Sequence, residues 1–167
     1  MSSMKNGRST TVNGGMSPRD AVSMLALPEQ VTFDALLQTV SFAHGKPVTI
    51  RDVPRGVLSG VSGLWVESAK RSLVLVRSGL SELHRMHVVC HEFGHILLRH
   101  QGCEGLAASM PSVFNHVGQA QGLQRVLARS PQWSDTEKAA EEVAYLLSWA
   151  VLDKPPVPAS DFEKVFG

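Results

Sequence analysis

The chain has 167 residues, of which 43% are apolar and 19% charged, a composition typical of one globular domain and not of a disordered chain. Its formal net charge is +1, so we expect no bulk electrostatic attraction to nucleic acid or to an anionic membrane. It has no apolar run long enough to cross a bilayer, no secretory signal, and too few cysteines for a disulfide framework. These features predict a cytoplasmic protein.

Composition and apolar spacing divide the chain into three parts. We predict a flexible N-terminal tail over residues 1–27, a folded domain over 28–153 and a Pro-rich C-terminal tail over 154–167. Within the domain, the spacing of apolar residues predicts helices over 31–43, 80–99, 119–128 and 134–152, and strands over 47–53, 63–67 and 72–77.

Together these elements predict an α+β fold. A small antiparallel three-stranded sheet is expected to pack against a helical bundle that includes the helix over 80–99. Ser78 or Ser81 is the candidate residue that caps the start of this helix. Residues 103–118 are long and without regular periodicity, and we interpret them as a segment that gates access of substrate to the site.

The motif His91-Glu92-Phe93-Gly94-His95 carries the clearest chemical signal in the chain. Residues four apart on an α-helix project from one face, so the two imidazoles are placed as two ligands of a tetrahedral zinc ion require. Glu92 lies about 100° farther round the helix, where a carboxylate can accept a proton from water that the metal polarises. The motif therefore predicts a Zn²⁺ site with Glu92 as general base. Gly94, inside a helix, predicts close approach by another element.

A third ligand must come from elsewhere, because a catalytic zinc site has three protein ligands and one open position. The metzincin class is excluded, since Leu98 and Gln101 stand where that class has Gly and His. The remaining candidates are later acidic residues, namely Glu104, Asp135, Glu137, Glu141 and Glu142. Glu137 and Glu141 are one helical turn apart, which allows one to bind the metal and the other to orient a ligand histidine.

Glu137 also has a purely structural interpretation. Ser134-Asp135-Thr136-Glu137 fits the S-x-x-E capping box, in which the Glu137 carboxylate would bond the amide of the residue that caps the helix. The two roles compete for one carboxylate, and the local sequence leaves both open.

Three pieces of the chain resemble the ImmA/IrrE-type zinc metallopeptidases of bacteria, phages and mobile elements. They are the helix over 86–100, the three strands before it, and residues 137–147 (EKAAEEVAYLL), which are similar to the family's E-x-x-A-[DNE]-x-x-A-x-x-L stretch. The resemblance covers roughly residues 30–152 and implies that the predicted domain is a zincin-like metallopeptidase domain. The chain departs from the family at Leu147-Ser148-Trp149-Ala150, where L-L-M-P is common, and it has no recognisable helix-turn-helix.

The resemblance implies a role for each matching residue. His91, His95 and Glu137 would bind the metal, Glu92 would be the general base, and Glu141 would hold a ligand in place. It also implies a partner, because relatives include proteases that cleave repressors and proteins described as toxin partners. We therefore expect a protein substrate, a DNA-binding repressor or an antitoxin encoded nearby, and no direct contact with nucleic acid or membrane.

Other polar residues near the motif have weaker signals. His87 and His84 precede His91 on the same helix and could donate to an oxyanion or a substrate carbonyl, or simply line a polar cleft. Tyr145 could stabilise an oxyanion, although core packing is the alternative. His100 lies about 180° from His91 on an uninterrupted helix, so it is expected to be a cation at the helix end.

The sequence thus predicts a zinc-dependent endopeptidase that hydrolyses peptide bonds of a partner regulatory protein. The alternative is a non-catalytic zinc-binding or toxin-like module that binds its partner without cleaving it. Replacing Glu92 by Gln distinguishes them, because the substitution keeps the metal ligands and removes the base.

Overall fold

The computed structural model describes residues 15–58, 60–100, 123–127 and 134–152. In chain order the elements are α1 (Pro18–Ser23), α2 (Phe33–His44), β1 (Val48–Val53), β2 (Gly63–Ser68), β3 (Ser72–Arg77), α3 (Glu82–Leu97), β4 (Leu123–Leu127) and α4 (Asp135–Leu152). They form a small α+β fold, as predicted. Within these ranges, no helix combines the length and the apolar character that crossing a membrane would need.

The two predicted helices before and after the hairpin begin and end at identifiable caps. Thr32 accepts a hydrogen bond from the amide of Ala35 at the start of α2, and Gly45, with φ of 77°, ends that helix. Ser81 accepts from the amide of His84 and starts α3, so Ser81 is the capping residue and Ser78 is not.

The sheet is mixed and has the strand order β1-β3-β2-β4, which corrects the predicted all-antiparallel sheet of three strands. β2 and β3 form the predicted antiparallel hairpin, but β1 pairs with β3 in parallel, from Val48 opposite Ser72 to Val53 opposite Arg77. Residues 54–62 carry the chain from the end of β1 to the start of β2, so that β3 inserts between them. Local patterns do not reveal this order, because it depends on which strands pair.

The helix predicted over 119–128 is wrong, since β4 lies in that stretch. β4 pairs with β2 in antiparallel orientation, with Val126 opposite Val66 and Arg125 opposite Glu67. Short apolar runs suit a helix and a strand about equally, and here the open edge of β2 decides in favour of a strand.

The predicted N-terminal tail, residues 1–27, includes residues that belong to the folded part of the chain. Ser17 caps α1, and Ala21 and Leu25 are buried against the rest of the fold, where α1 lies along α4. Residues 1–14 and the predicted C-terminal tail over 154–167 lie outside the described residues, as does the segment over 103–118.

Each face of the hairpin has its own apolar core. Trp65, Val74 and Val76 pack with α2, α3 and α4 on one face, and Leu64, Val66, Leu73 and Leu75 pack with Val57 and Leu58 on the other. The first core holds α3 between the sheet and α4. One side of α3 consequently faces β2, and another faces α4.

Candidate metal centre

A glycine sets the distance between α3 and α4. A Cβ atom added to Gly94 would lie 2.7 Å from the carbonyl oxygen and 2.9 Å from the Cα of Ala140, which are both backbone atoms. Any larger residue would therefore push the two helices apart, as expected for a glycine at a close approach. This contact brings the first turns of α4 alongside the two histidines of the motif.

His91, His95 and Glu137 converge, and we call these three residues the candidate metal centre. Nε2 of His91 lies 3.2 Å from Oε2 of Glu137, and Nε2 of His95 lies 3.4 Å from Oε1 of the same carboxylate. The two Nε2 atoms are 3.1 Å apart. The side chains of the histidines are 3% and 2% exposed, and that of Glu137 is 15% exposed, so the group is enclosed but reachable.

Glu141 holds His91 from the other side of its ring. Oε2 of Glu141 lies 2.9 Å from Nδ1 of His91, and Oε1 lies 2.8 Å from Nε2 of His87. The hydrogen bonds from His87 and, second, from His91 hold the pKa of the Glu141 carboxyl well below its usual range. An ionised carboxylate only accepts, so Nδ1 of His91 carries the proton in this contact.

This proton position leaves an excess of electron pairs inside the candidate metal centre. With Nδ1 protonated, Nε2 of a neutral His91 is an acceptor, yet it faces the Glu137 carboxylate and Nε2 of His95. A proton on one nitrogen can bridge only one of these pairs, whereas a cation between the three atoms attracts all of them. The donor set, two imidazole nitrogens and one carboxylate, is one that zinc binds in enzymes.

The distances also suit a tetrahedral ion. Ligand atoms that each lie about 2 Å from a tetrahedral zinc are separated from one another by roughly 3.3 Å. The three distances within the centre, from 3.1 to 3.4 Å, bracket that value. It is the single group of metal-binding side chains found among the described ranges of the chain.

Of the two roles that the sequence left open for the Glu137 carboxylate, the structure shows the contact with His91 and His95. Ser134 still caps α4, because its Oγ accepts from the backbone N–H of Glu137 at 3.3 Å. The S-x-x-E spacing places Glu137 in the first turn, where α4 passes α3.

The other acidic candidates lie elsewhere. Asp135 is fully exposed, 3.7 Å from Nζ of Lys138, and Glu142 lies 3.6 Å from Nε of Arg19. Glu104 lies outside the described residues.

Glu92 is buried on the side of α3 that faces β2. A Cβ atom added to Gly63, the first residue of β2, would lie 2.9 Å from Oε1 of Glu92 and 2.5 Å from Cγ1 of Val88. The absence of a side chain at Gly63 thus makes room for a carboxylate that is 2% exposed. No role was predicted for Gly63, although a glycine that opens a strand was an available signal.

His100 contacts His95, which the sequence analysis missed. Nδ1 of His100 lies 2.8 Å from Nδ1 of His95, on the ring edge away from Glu137. The prediction of a remote helix-end cation assumed a helix that continues to residue 99, whereas α3 ends at Leu97 and Arg99 has φ of 52°. Burial lowers the pKa of His100 below its ordinary value, which favours the neutral ring.

The remaining predicted residues have varied positions. His84 is exposed at the start of α3, and the ring of Tyr145 packs edge-on against Trp149 at 5.7 Å. Cys90 is buried against Ser148, and burial raises the pKa of its thiol to about 12.

A second polar group lies at the far end of the hairpin, and we call it the His44 cluster. Nε2 of His44 lies 2.8 Å from Oγ of Ser72, which also accepts from Nε1 of Trp65 at 3.2 Å. Oε1 of Glu67 lies 2.8 Å from Nζ of Lys46 and 3.5 Å from the His44 ring. The sequence analysis did not single out these residues, because they are far apart along the chain.

Comparison of this chain with models of protein families, with curated proteins and with solved structures finds no match. Function is therefore inferred from the geometry of the candidate metal centre and from the motifs that resemble those of ImmA/IrrE-type peptidases.

Proposed function

We propose that this chain is a zinc-dependent endopeptidase in which His91, His95 and Glu137 hold the metal and Glu92 is the general base. The observation that carries the proposal is the convergence of the three side chains from two helices with spacings that suit a tetrahedral ion. A structural zinc would have four protein ligands, whereas three leave one position for water or substrate.

Each residue has a distinct task in the proposed reaction. When bound, zinc would polarise the substrate carbonyl and lower the pKa of water toward about 7. Glu92 accepts a proton from the attacking water and returns it to the leaving amine. Glu141 keeps Nε2 of His91 directed at the centre by accepting from Nδ1, and it ties His87 to the same edge of the site.

The proposed substrate is a partner regulatory protein, a repressor or an antitoxin encoded nearby. This part rests on the resemblance to ImmA/IrrE-type peptidases. β4 is the outermost strand on the β2 side of the described sheet, where an extended substrate segment can add by backbone pairing.

The test uses the purified full chain with zinc, incubated with the products of the adjacent genes and with a peptide library, and read by mass spectrometry. Three proteins are compared: wild type, Glu92→Gln, and Glu82→Gln as a control that changes an exposed glutamate on the same helix. We expect cleavage by wild type and by Glu82→Gln, and none by Glu92→Gln or after chelation.

Zinc content is measured on the same samples. Glu92→Gln should keep its zinc, because it retains all three ligands. Cleavage that survives Glu92→Gln, or a wild-type protein that binds no zinc, would contradict the proposal. If the protein binds zinc but cleaves nothing in any sample, the peptidase proposal is wrong and the alternative, a non-catalytic zinc-binding module, is favoured.

A further inference from the structure

The two histidines of the candidate metal centre are held from outside by different kinds of group. Nδ1 of His91 faces the Glu141 carboxylate, and Nδ1 of His95 faces the ring of His100. Histidines that bind metals almost always donate their second N–H to a carboxylate, a backbone carbonyl or water. A second imidazole in this place needs its own explanation.

Ring chemistry limits the contact between His95 and His100. Their Nδ1 atoms are 2.8 Å apart, with ring centroids 5.1 Å apart and planes at 64°. A neutral imidazole has one N–H and one bare nitrogen, so one of the two Nδ1 atoms donates and the other accepts. If Nδ1 of His95 donates, its Nε2 is bare and faces Glu137, which is the arrangement that metal binding requires.

The backbone after α3 places His100 for this contact. Arg99 has φ of 52°, its N–H donates to the carbonyl of Ile96 at 3.2 Å, and the N–H of His100 donates to the carbonyl of His95 at 3.0 Å. This pair of bonds is the Schellman helix end, in which glycine is the usual left-handed residue. An arginine there is strained, and such strain persists where surrounding contacts determine the conformation.

We propose that His100 is a positioning residue that accepts a hydrogen bond from Nδ1–H of His95 and so directs Nε2 of His95 at the metal. The inference rests on the proposed function, because it assigns His100 a task only if the centre binds a metal. The neutral ring of His100 accepts from Nδ1–H of His95, as the Glu141 carboxylate accepts from Nδ1–H of His91. Unlike a carboxylate, the ring adds no third negative charge beside Glu137 and Glu141.

The first experiment measures zinc affinity by competition with a chromophoric chelator. His100→Ala removes the acceptor and should weaken zinc binding by roughly 10–100-fold, the usual cost of losing such a partner. His100→Asn should restore most of the affinity, because its side-chain oxygen can take the place of Nδ1. His84→Ala, an exposed histidine on the same helix, is the matched control and should bind as wild type does.

The second experiment reads the tautomer directly in the wild-type protein, so it does not depend on the folding of a variant. Nitrogen-15 NMR of the histidine rings should show His95 with its proton on Nδ1 and His100 with its proton on Nε2, in the zinc-loaded protein. His95 protonated on Nε2 and coordinating through Nδ1 would overturn the inference.

The two proposals fail in different ways. If wild type binds no zinc, the proposed function fails, and the inference fails with it. If wild type binds zinc and His100→Ala binds it equally tightly, the role of His100 is refuted while the peptidase proposal stands.

Discussion

The candidate metal centre and the His44 cluster contain similar side chains but have opposite electrostatic balances. In the His44 cluster, the ammonium of Lys46 pairs with Glu67, and the hydroxyl of Ser72 lies between His44 and Trp65, so donors meet acceptors. In the centre, two imidazole nitrogens and a carboxylate face one another. A polar group whose donors and acceptors are matched stabilises the fold, whereas acceptors that face one another are stabilised by a proton or a cation between them.

The comparison also shows why burial alone does not identify a functional site. Glu67 and Ser72 are buried, and so are the residues of the motif. The difference lies in what each polar atom faces. Four predictions test this contrast.

Zinc should stabilise the protein through the centre and not through the His44 cluster. At a free zinc concentration about 1,000 times Kd, binding to the folded state adds about 4 kcal/mol, which raises Tm by roughly 8–16 °C for a chain of this size. The shift should be nearly lost in Glu137→Gln and kept in Glu67→Gln. Differential scanning calorimetry with and without zinc measures it, and equal shifts in both variants would remove the contrast.

In the metal-free protein the same two substitutions should have different effects on stability. Glu67→Gln leaves the partly buried Lys46 without its charge partner and should cost about 2–3 kcal/mol. Glu137→Gln should cost nothing or stabilise, because the amide N–H₂ can donate to an imidazole nitrogen. Urea unfolding with a chelator present gives both values. A comparable loss in the two variants would show that the centre is balanced without a metal.

Gly94→Ala should damage the centre and spare the His44 cluster. The new methyl group meets the backbone of Ala140, and overpacking of about 1–3 kcal/mol, less about 1 kcal/mol of gained helix propensity, leaves a net cost of about 0–2 kcal/mol. Zinc affinity should fall as well, since α4 carries Glu137. Gly56→Ala, with nothing near the added carbon, is the control. Unchanged affinity in Gly94→Ala would mean that helix spacing does not position the ligand.

The smallest effect concerns pH and the His44 cluster. Burial is the main cause that lowers the pKa of His44. The charge of Glu67 raises this pKa, and the charges of Lys46 and Arg99 lower it further. The unfolded chain then takes up a proton first, so stability should decrease as pH falls below about 6.5. His44→Gln should reduce this dependence in urea unfolding between about pH 7.5 and 5.5. If His44→Gln shows the same pH dependence of stability as wild type, other histidines cause that dependence.

Sequence predicted the parts of this molecule that depend on local periodicity. The existence of α3, the two candidates for its cap and the shared face of His91 and His95 follow from capping chemistry and helical geometry. From the residues alone Glu137 was one of several candidate acids, and the family resemblance singled it out, because its approach to α3 depends on how two helices pack.

The wrong predictions share one cause, because each concerns a feature that depends on contacts between residues far apart along the chain or on where the backbone turns. The parallel pairing of β1 and the strand β4 depend on which edges meet in the folded sheet. His100 was assigned to the wrong side of a helix because the sequence did not show that the chain reverses at Arg99, a residue that rarely adopts a left-handed conformation.

The buried thiol next to His91 has a practical consequence. Because the thiolate is the nucleophile that attacks thiol reagents, Cys90 with a pKa of about 12 should resist alkylation and oxidation for as long as α3 and α4 stay packed. The rate at which Cys90 is labelled therefore reports how often these two helices separate, and added zinc should lower that rate.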